Sequence, residues 1–210
     1  MTDISPTRKG VLLVVSGPSG SGKTSLCQAL SERGETVHSI SCTTRPAREG
    51  ERDGEHYHFI STGEFSAKES ESEFLEHAEV HGRRYGTLKA WVLGQLEKGV
   101  DVVMDIDVLG AAQVRCCGDS AIAAAAVDVF VLPPSLAELR TRLEDRGTES
   151  EQEMRTRLDN ALGEMRHWRE YAYTIVSGSR EDDYQRLHAI LVGERNRSAR
   201  HLPPPDAEYV

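Results

Sequence analysis

The chain has 210 residues, 38% of them hydrophobic and 28% charged, with a formal net charge of −9. That length allows one sizeable core with insertions, and that composition excludes a disordered or fibrous chain. The acidic balance excludes a broad basic face for a nucleic-acid backbone, and no apolar run reaches the ~18 residues of a membrane span.

Residues 1–9 are polar and read as a flexible tail. The apolar run 11–16 predicts a buried strand that leads directly into Gly17-Pro18-Ser19-Gly20-Ser21-Gly22-Lys23-Thr24. This octet satisfies GxxxxGK(S/T) at every specified position, in the strand-to-helix context that the motif requires. Its glycines let successive backbone N–H groups point inward at phosphate oxygens. Lys23 supplies a point charge for the β- and γ-phosphates, the Thr24 hydroxyl can ligate Mg²⁺, and a helix over 23–33 adds its positive dipole end. A weaker strand follows over 36–41.

Residues 41–85 are rich in Arg, His, Glu and Tyr, with short alternating pieces such as His56-Tyr57-His58-Phe59-Ile60, and read as an inserted subdomain. At its start Ser41, Arg45 and Arg48 lie close to Glu51 and Tyr57. Arginine forks bind phosphate oxygens bidentately, so this stretch can cradle a second phosphate. The rhythm then resumes with a helix over 88–97 and a strand over 100–106. Asp105 and Asp107 fall at the carboxyl end of that strand, where open α/β sheets bind ligands. A helix over 110–117 and a strand over 127–132 follow, and Pro133-Pro134-Ser135 announces a helix over 135–146. The charged stretch 140–157, interrupted at Gly147, reads as a mobile helical lid. A helix over 150–171, a strand over 173–176, a helix over 180–195 and a second flexible tail over 196–210 complete the chain.

Apolar runs alternating with amphipathic stretches predict an α/β fold: a P-loop NTPase core with a parallel five-stranded sheet flanked by helices, an insert and a helical lid. The domain spans 10–195, with core segments 10–40, 88–138 and 158–195, the insert 41–87 and the lid 139–157. Cys27, Cys42, Cys116 and Cys117 form no CxxC pair and no zinc spacing, so they are expected to be reduced and mostly buried thiols. Neither end carries a signal-peptide apolar region, and a cytoplasmic location is expected.

Beyond the P-loop, the ordered segments Ser41-Cys42-Thr43-Thr44-Arg45-Pro46 with Arg48, Gly54-Glu55-His56-Tyr57-His58-Phe59, Phe74-Leu75-Glu76-His77-Ala78, Tyr85-Gly86-Thr87, Asp105-Ile106-Asp107 and Arg142 to Glu149 carry a resemblance to the guanylate kinase family over 11–195. The resemblance implies Mg²⁺-dependent phosphoryl transfer from ATP to GMP, or to dGMP, in purine nucleotide metabolism, with the insert as the GMP-binding subdomain. It implies that Arg45, Arg48, Tyr57 and Tyr85 grip the GMP phosphate, with Glu51 beside them, and that Ser41, Glu76, Thr87 and Asp107 contact guanine. Asp105 would act on Mg²⁺ through water, and Lys23, Arg45 and the lid arginines Arg142, Arg146 and Arg157 would serve the transferred group. Guanine offers N1–H and N2 amino donors, which a carboxylate complements and which adenine lacks at that edge. Two departures from the family pattern stand out: Leu109 before Gly110, and Ser177-Gly178 after the last strand. A non-catalytic binding module of the same fold, or a kinase of another phosphorylated acceptor, are the alternatives. Neither partner nucleic acid nor membrane is expected, and monomer and homo-oligomer both stay open.

Overall fold

The computed structural model describes residues 8–80, 82–144 and 151–202. In chain order the elements are β1 (Leu12–Ser16), α1 (Lys23–Glu32), β2 (Val37–His38), β3 (Cys42–Thr43), β4 (His58–Phe59), α2 (Thr62–Ser70), β5 (Phe74–Val80), β6 (Arg83–Leu88) and α3 (Lys89–Glu97). The second half runs β7 (Val102–Asp105), α4 (Val108–Cys116), α5 (Ser120–Ala125), β8 (Ala126–Leu132), α6 (Leu136–Glu144), α7 (Glu151–Met165), β9 (Tyr173–Val176) and α8 (Arg180–Arg195).

Five parallel strands form the main sheet in the order β2-β7-β1-β8-β9. Successive side chains of a strand point to opposite faces, and β1 uses both. Leu13 and Val15 pack with Leu26 and Leu30 of α1 and Leu187 and Leu191 of α8. Leu12 and Val14 pack on the other face with Val92 of α3, Ala111 and Val114 of α4 and Ile122 of α5. Every residue of β1 is buried, which is why its sequence is a continuous apolar run rather than an alternating one.

The second sheet, β4-β3-β6-β5, is assembled from residues 42–88 and is mixed: β3 and β4 run parallel, whereas β6 is antiparallel to β3 and β5. It has a small core of its own around Cys42, Phe65 and Phe74. α6 and α7 likewise share a separate apolar cluster of Leu139, Leu143, Met154 and Ala161, so the charged segment has a buried seam.

Several expected boundaries move for local reasons. α4 starts at Val108 rather than 110, because the Asp107 carboxylate accepts the Gly110 N–H at 2.8 Å and caps the helix. α7 ends at Met165 rather than running to 171, as i→i+3 bonds tighten its last turn and a short 3₁₀ helix, Trp168–Glu170, carries the chain to β9. α2 lies where the apolar pattern predicts no helix, although Ser61 and Glu64 form a reciprocal capping box at its start. The same holds for α5, capped by Asp119.

The tail expectations need correction where residues are described. Arg8 bridges to His201 and Lys9 N–H bonds to the Arg200 carbonyl, while Arg200 is buried and ion-paired to Glu194 at 3.0 Å. Charges buried in pairs hold these segments to the body; residues 1–7 and 203–210 lie outside the described residues. All four cysteines are unpaired, but only Cys27 and Cys42 are buried; Cys116, on the outer side of α4, is exposed. No helix among the described residues is long and apolar enough to cross a membrane.

Candidate active site

The P-loop leaves the carboxyl end of β1, the central strand. Gly17, Gly20 and Gly22 have φ of +151°, +86° and +94°, conformations that L side chains rarely adopt. At Gly17 a Cβ would also lie 2.4 Å from the Val131 carbonyl oxygen, so the turn admits no side chain there. The first turn of α1 holds no acidic residue, and its N-cap, Gly22, offers no side-chain bond, which leaves the helix N–H donors to an incoming anion. Ser19, Gly20, Lys23 and Thr24 line the resulting cradle of about 110 Å³.

Two larger clefts meet at this loop. One, of about 420 Å³, runs from Thr24 and Asp105 to Ser41, Glu51 and Tyr57. The other, of about 180 Å³, lies between Gly22 and Ser25 of the loop and Arg142, Ser177 and Asp183. The fold thus puts one phosphate cradle between two pockets, as a reaction between two phosphorylated ligands requires.

In the larger cleft Asp105 ends β7, level with Val15 of β1, and its Oδ2 accepts the Thr24 hydroxyl at 2.5 Å. A hydroxyl and a carboxylate so placed are the hard oxygen donors that Mg²⁺ takes, with phosphate oxygens and water as the usual remainder of its shell. Arg45 and Glu51 form a bidentate pair at 2.9 and 2.8 Å, and Glu51 Oε2, one of the two oxygens of that pair, also accepts the Arg48 backbone N–H at 2.7 Å. Arg45 holds the Glu51 carboxyl at about 2, far below the usual range, with the Arg48 N–H adding to the effect. Glu51 therefore stays charged down to about pH 2, and its contribution to this loop is present above the ordinary value near 4.3 and lost as pH falls toward 2. The Arg45 guanidinium also lies 5.3 Å from the Tyr57 ring centroid, and Tyr57 meets Tyr85 edge to face at 5.9 Å. Arg48 is exposed.

Behind Ser41 runs a short polar chain. The Ser41 and Thr87 hydroxyl oxygens lie 3.2 Å apart, and Thr87 Oγ1 donates to Glu76 Oε1 at 2.7 Å. Glu76 is 6% exposed, and burial pushes its carboxyl above the usual carboxylate value, with the Asp107 charge adding to the rise. Asp107 itself spends one oxygen on the α4 cap. On the other side of the loop, Arg142 donates to Glu138 at 3.0 Å and to the buried Ser177 hydroxyl at 3.0 Å, and Ser177 donates to Asp183 at 2.8 Å. Ser177 and Gly178 thus anchor the α6 arginine and the start of α8, a role that no spacing in the sequence signals. Arg157 sits exposed on α7, and Arg146 lies outside the described residues.

The pattern of the guanylate kinase family matches residues 9–194. The chain belongs to the guanylate kinase family. A guanylate kinase of Maricaulis maris is 47% identical over 199 residues, covering 92% of this chain and 88% of that protein. One from Clostridium perfringens is 41% identical over 198 residues, covering 94% and 89%. The crystal structure of guanylate kinase from Anaplasma phagocytophilum superposes with a TM-score of 0.74 at 33% identity, covering 94% of this chain and 93% of that one. The guanylate kinase fold accounts for both sheets, the parallel one and the mixed one.

Proposed function

We propose that this guanylate kinase carries out ATP + GMP to ADP + GDP by direct in-line transfer, with the acceptor bound between the second sheet and the P-loop. An oxygen of the GMP phosphate attacks the γ-phosphorus, the bond to the β–γ bridging oxygen breaks, and ADP leaves with that oxygen. No protein nucleophile takes part; positioning of the two nucleotides and neutralisation of charge supply the rate. Gly17 to Gly22 wrap the ATP phosphates, Lys23 neutralises them, and the arginines Arg142, Arg146 and Arg157 neutralise charge on the migrating group. Arg45, Arg48, Tyr57 and Tyr85 hold the GMP phosphate, and Glu51 serves them by orienting the two arginines. Mg²⁺ would be held by Thr24 directly and by Asp105 through water, where it would offset charge on the donor phosphates. A cytoplasmic location belongs to the same reading.

The observation that carries the acceptor assignment is the buried Glu76 carboxylate, linked through Thr87 to Ser41 at the cleft wall. A carboxylate with one oxygen free accepts from guanine N1–H and N2, whereas adenine would turn an N1 lone pair toward it. The non-catalytic alternative is disfavoured because Lys23 and Arg142 are both present beside the cradle. The test is a coupled ATP and Mg²⁺ assay comparing GMP, dGMP, AMP, UMP and ribose phosphates. GMP should be preferred, and equal turnover of AMP would overturn the assignment.

Glu76→Gln should raise the KM for GMP by roughly 10- to 100-fold and leave the KM for ATP unchanged, since hydrogen bonds from the guanine donors to a neutral amide oxygen lack the charge that strengthens those to a carboxylate. Unaltered GMP kinetics would remove Glu76 from base recognition. The pH dependence has a definite sign. Protonation of Glu76 takes the charge out of its hydrogen bonds to guanine and turns one acceptor oxygen into a donor, and its raised value moves that loss upward in pH, into a range where an ordinary glutamate near 4.3 is still ionised. GMP affinity should therefore fall on the acid side, with a limb that the Glu76→Gln variant lacks. Titration of the GMP phosphate is common to both proteins, so the difference between the two profiles isolates Glu76.

A further inference from the structure

Glu76 is carried by β5, which lies at the edge of the second sheet and pairs only with β6 there. An edge strand has backbone groups on one side without a strand partner. On that free side stands Gln113 of α4, whose side-chain Nε2 donates to the His77 carbonyl at 2.8 Å while its Oε1 accepts the His77 N–H at 2.9 Å. One side-chain amide therefore does for β5 what a neighbouring strand would, at the residue next to Glu76.

Two other features converge on the same carboxylate. Pairing of β5 with β6 slips between Phe74, opposite Leu88, and Glu76, opposite Thr87. A bulge of this kind re-aims a side chain: in regular register Leu75 would face Thr87, and Glu76 would be displaced by one position. Secondly, a Cβ at Gly110 would lie 3.2 Å from Glu76 Oε2, so the first turn of α4 packs closely against this carboxylate and a side chain at 110 would press on it. α4 in turn starts from the Asp107 cap, two residues after Asp105 at the end of β7. It links the carboxyl end of β7 to the strand that bears Glu76.

We propose that Gln113 is a positioning residue for acceptor-base recognition, its two-point grip on His77 setting the depth and direction of the Glu76 carboxylate. The proposal rests on the reading of Glu76 as the group that meets guanine. Because the Gln113 amide is spent on the β5 backbone, its effect reaches the nucleotide only through Glu76. A misaligned carboxylate loses more against a ligand that presents two donors than against one that presents a single donor. GMP presents N1–H and the N2 amino group, whereas IMP presents N1–H alone.

The experiment measures dissociation constants of GMP and IMP by calorimetry, together with the KM for ATP, for the unaltered chain and for Gln113→Met, Gln113→Glu and Glu76→Gln. Gln113→Met, close in length and without either bond, should weaken GMP about tenfold and IMP by no more than roughly threefold, with the KM for ATP unchanged. Gln113→Glu keeps the acceptor for the His77 N–H and should fall between; it also carries the test if the Met variant does not fold. Equal losses for GMP and IMP, a parallel rise in the KM for ATP, or GMP binding within twofold of the unaltered chain would overturn the proposal. If Glu76→Gln leaves the GMP to IMP ratio untouched, the reading of Glu76 fails and this inference with it. If that variant collapses the ratio while both Gln113 variants preserve it, the role of Gln113 alone is overturned.

Discussion

Lys23→Ala should lower kcat by about 10³-fold, while the thermal midpoint stays within a degree or two. Lys23 opens α1 at the wall of the phosphate cradle, where the helix N-terminus and the loop N–H groups already favour an anion. Those dipoles hold a bound phosphate in the ground state. A charge that follows the γ-phosphoryl group is worth more as negative charge spreads over the phosphoryl oxygens on the way to transfer. The loss should therefore fall chiefly on kcat. Stability should be spared because neither face of the main sheet draws on this side chain; α1 is anchored by Leu26, Cys27 and Leu30. Turnover near that of the unaltered chain would exclude the assigned role, and a midpoint lowered by 10 °C would show that the effect on activity came from unfolding.

At the opposite end of the sheet, Asp101→Ala should cost about 3–5 kcal/mol of folding stability, because removing one member of a buried ion cluster strands the others. The Asp101 side chain is 2% exposed and accepts from Arg8 at 2.7 and 2.8 Å, from Arg195 Nε at 2.7 Å and from the Val11 N–H at 2.7 Å. It ties the first residues described, the start of β7 and the end of α8 into one knot, and Arg195 extends that knot to Glu35 at 2.8 Å. For a chain of this size the corresponding fall in midpoint is about 10 °C. Activity below the transition should be kept, since the knot lies at the amino ends of the strands and the proposed nucleotide site at the carboxyl ends. Arg33→Ala supplies the contrast. Its pair with Glu181 has side chains 46% and 59% exposed and is screened by water, so the fall in midpoint should be small beside that of Asp101→Ala. Scanning calorimetry of both variants checks the pair of expectations, and an Asp101→Ala midpoint within 2 °C of the unaltered chain would show the knot to be dispensable.

Strong local patterns of apolar residues and glycines were readable in the sequence. The continuous apolar runs around Leu13, Val103 and Val129 announce strands covered on both faces, and the glycines of 17–22 announce a loop open to phosphate; both appear in the structure at the anticipated places. The arginine-rich stretch 45–48 announced a second phosphate cradle by itself, but the proposed base-contacting residues were readable only through resemblance to a family, because nothing local marks Glu76 as different from any other carboxylate on a strand. α2 escaped notice for a related reason. Its capping box was present at Ser61 and Glu64, but only Phe65 is buried along it, so no apolar periodicity drew attention to a helix. α5 has the same shortness, with Ile122 and Ala125 its buried residues.

The architecture and the phosphate loop of this protein thus follow from short-range rules: side-chain periodicity, glycine conformations and the spacing of a cation from a turn, all of which operate within a few residues. The grip of Gln113 on His77, the hydroxyl chain from Ser41 through Thr87 to Glu76, the hold of Ser177 on Arg142 and the charge knot at Asp101 each join residues far apart in the chain. Such contacts come into being when sheets and helices pack, because a hydrogen bond or an ion pair needs atoms within about 3 Å and the order of residues along a chain does not supply that distance.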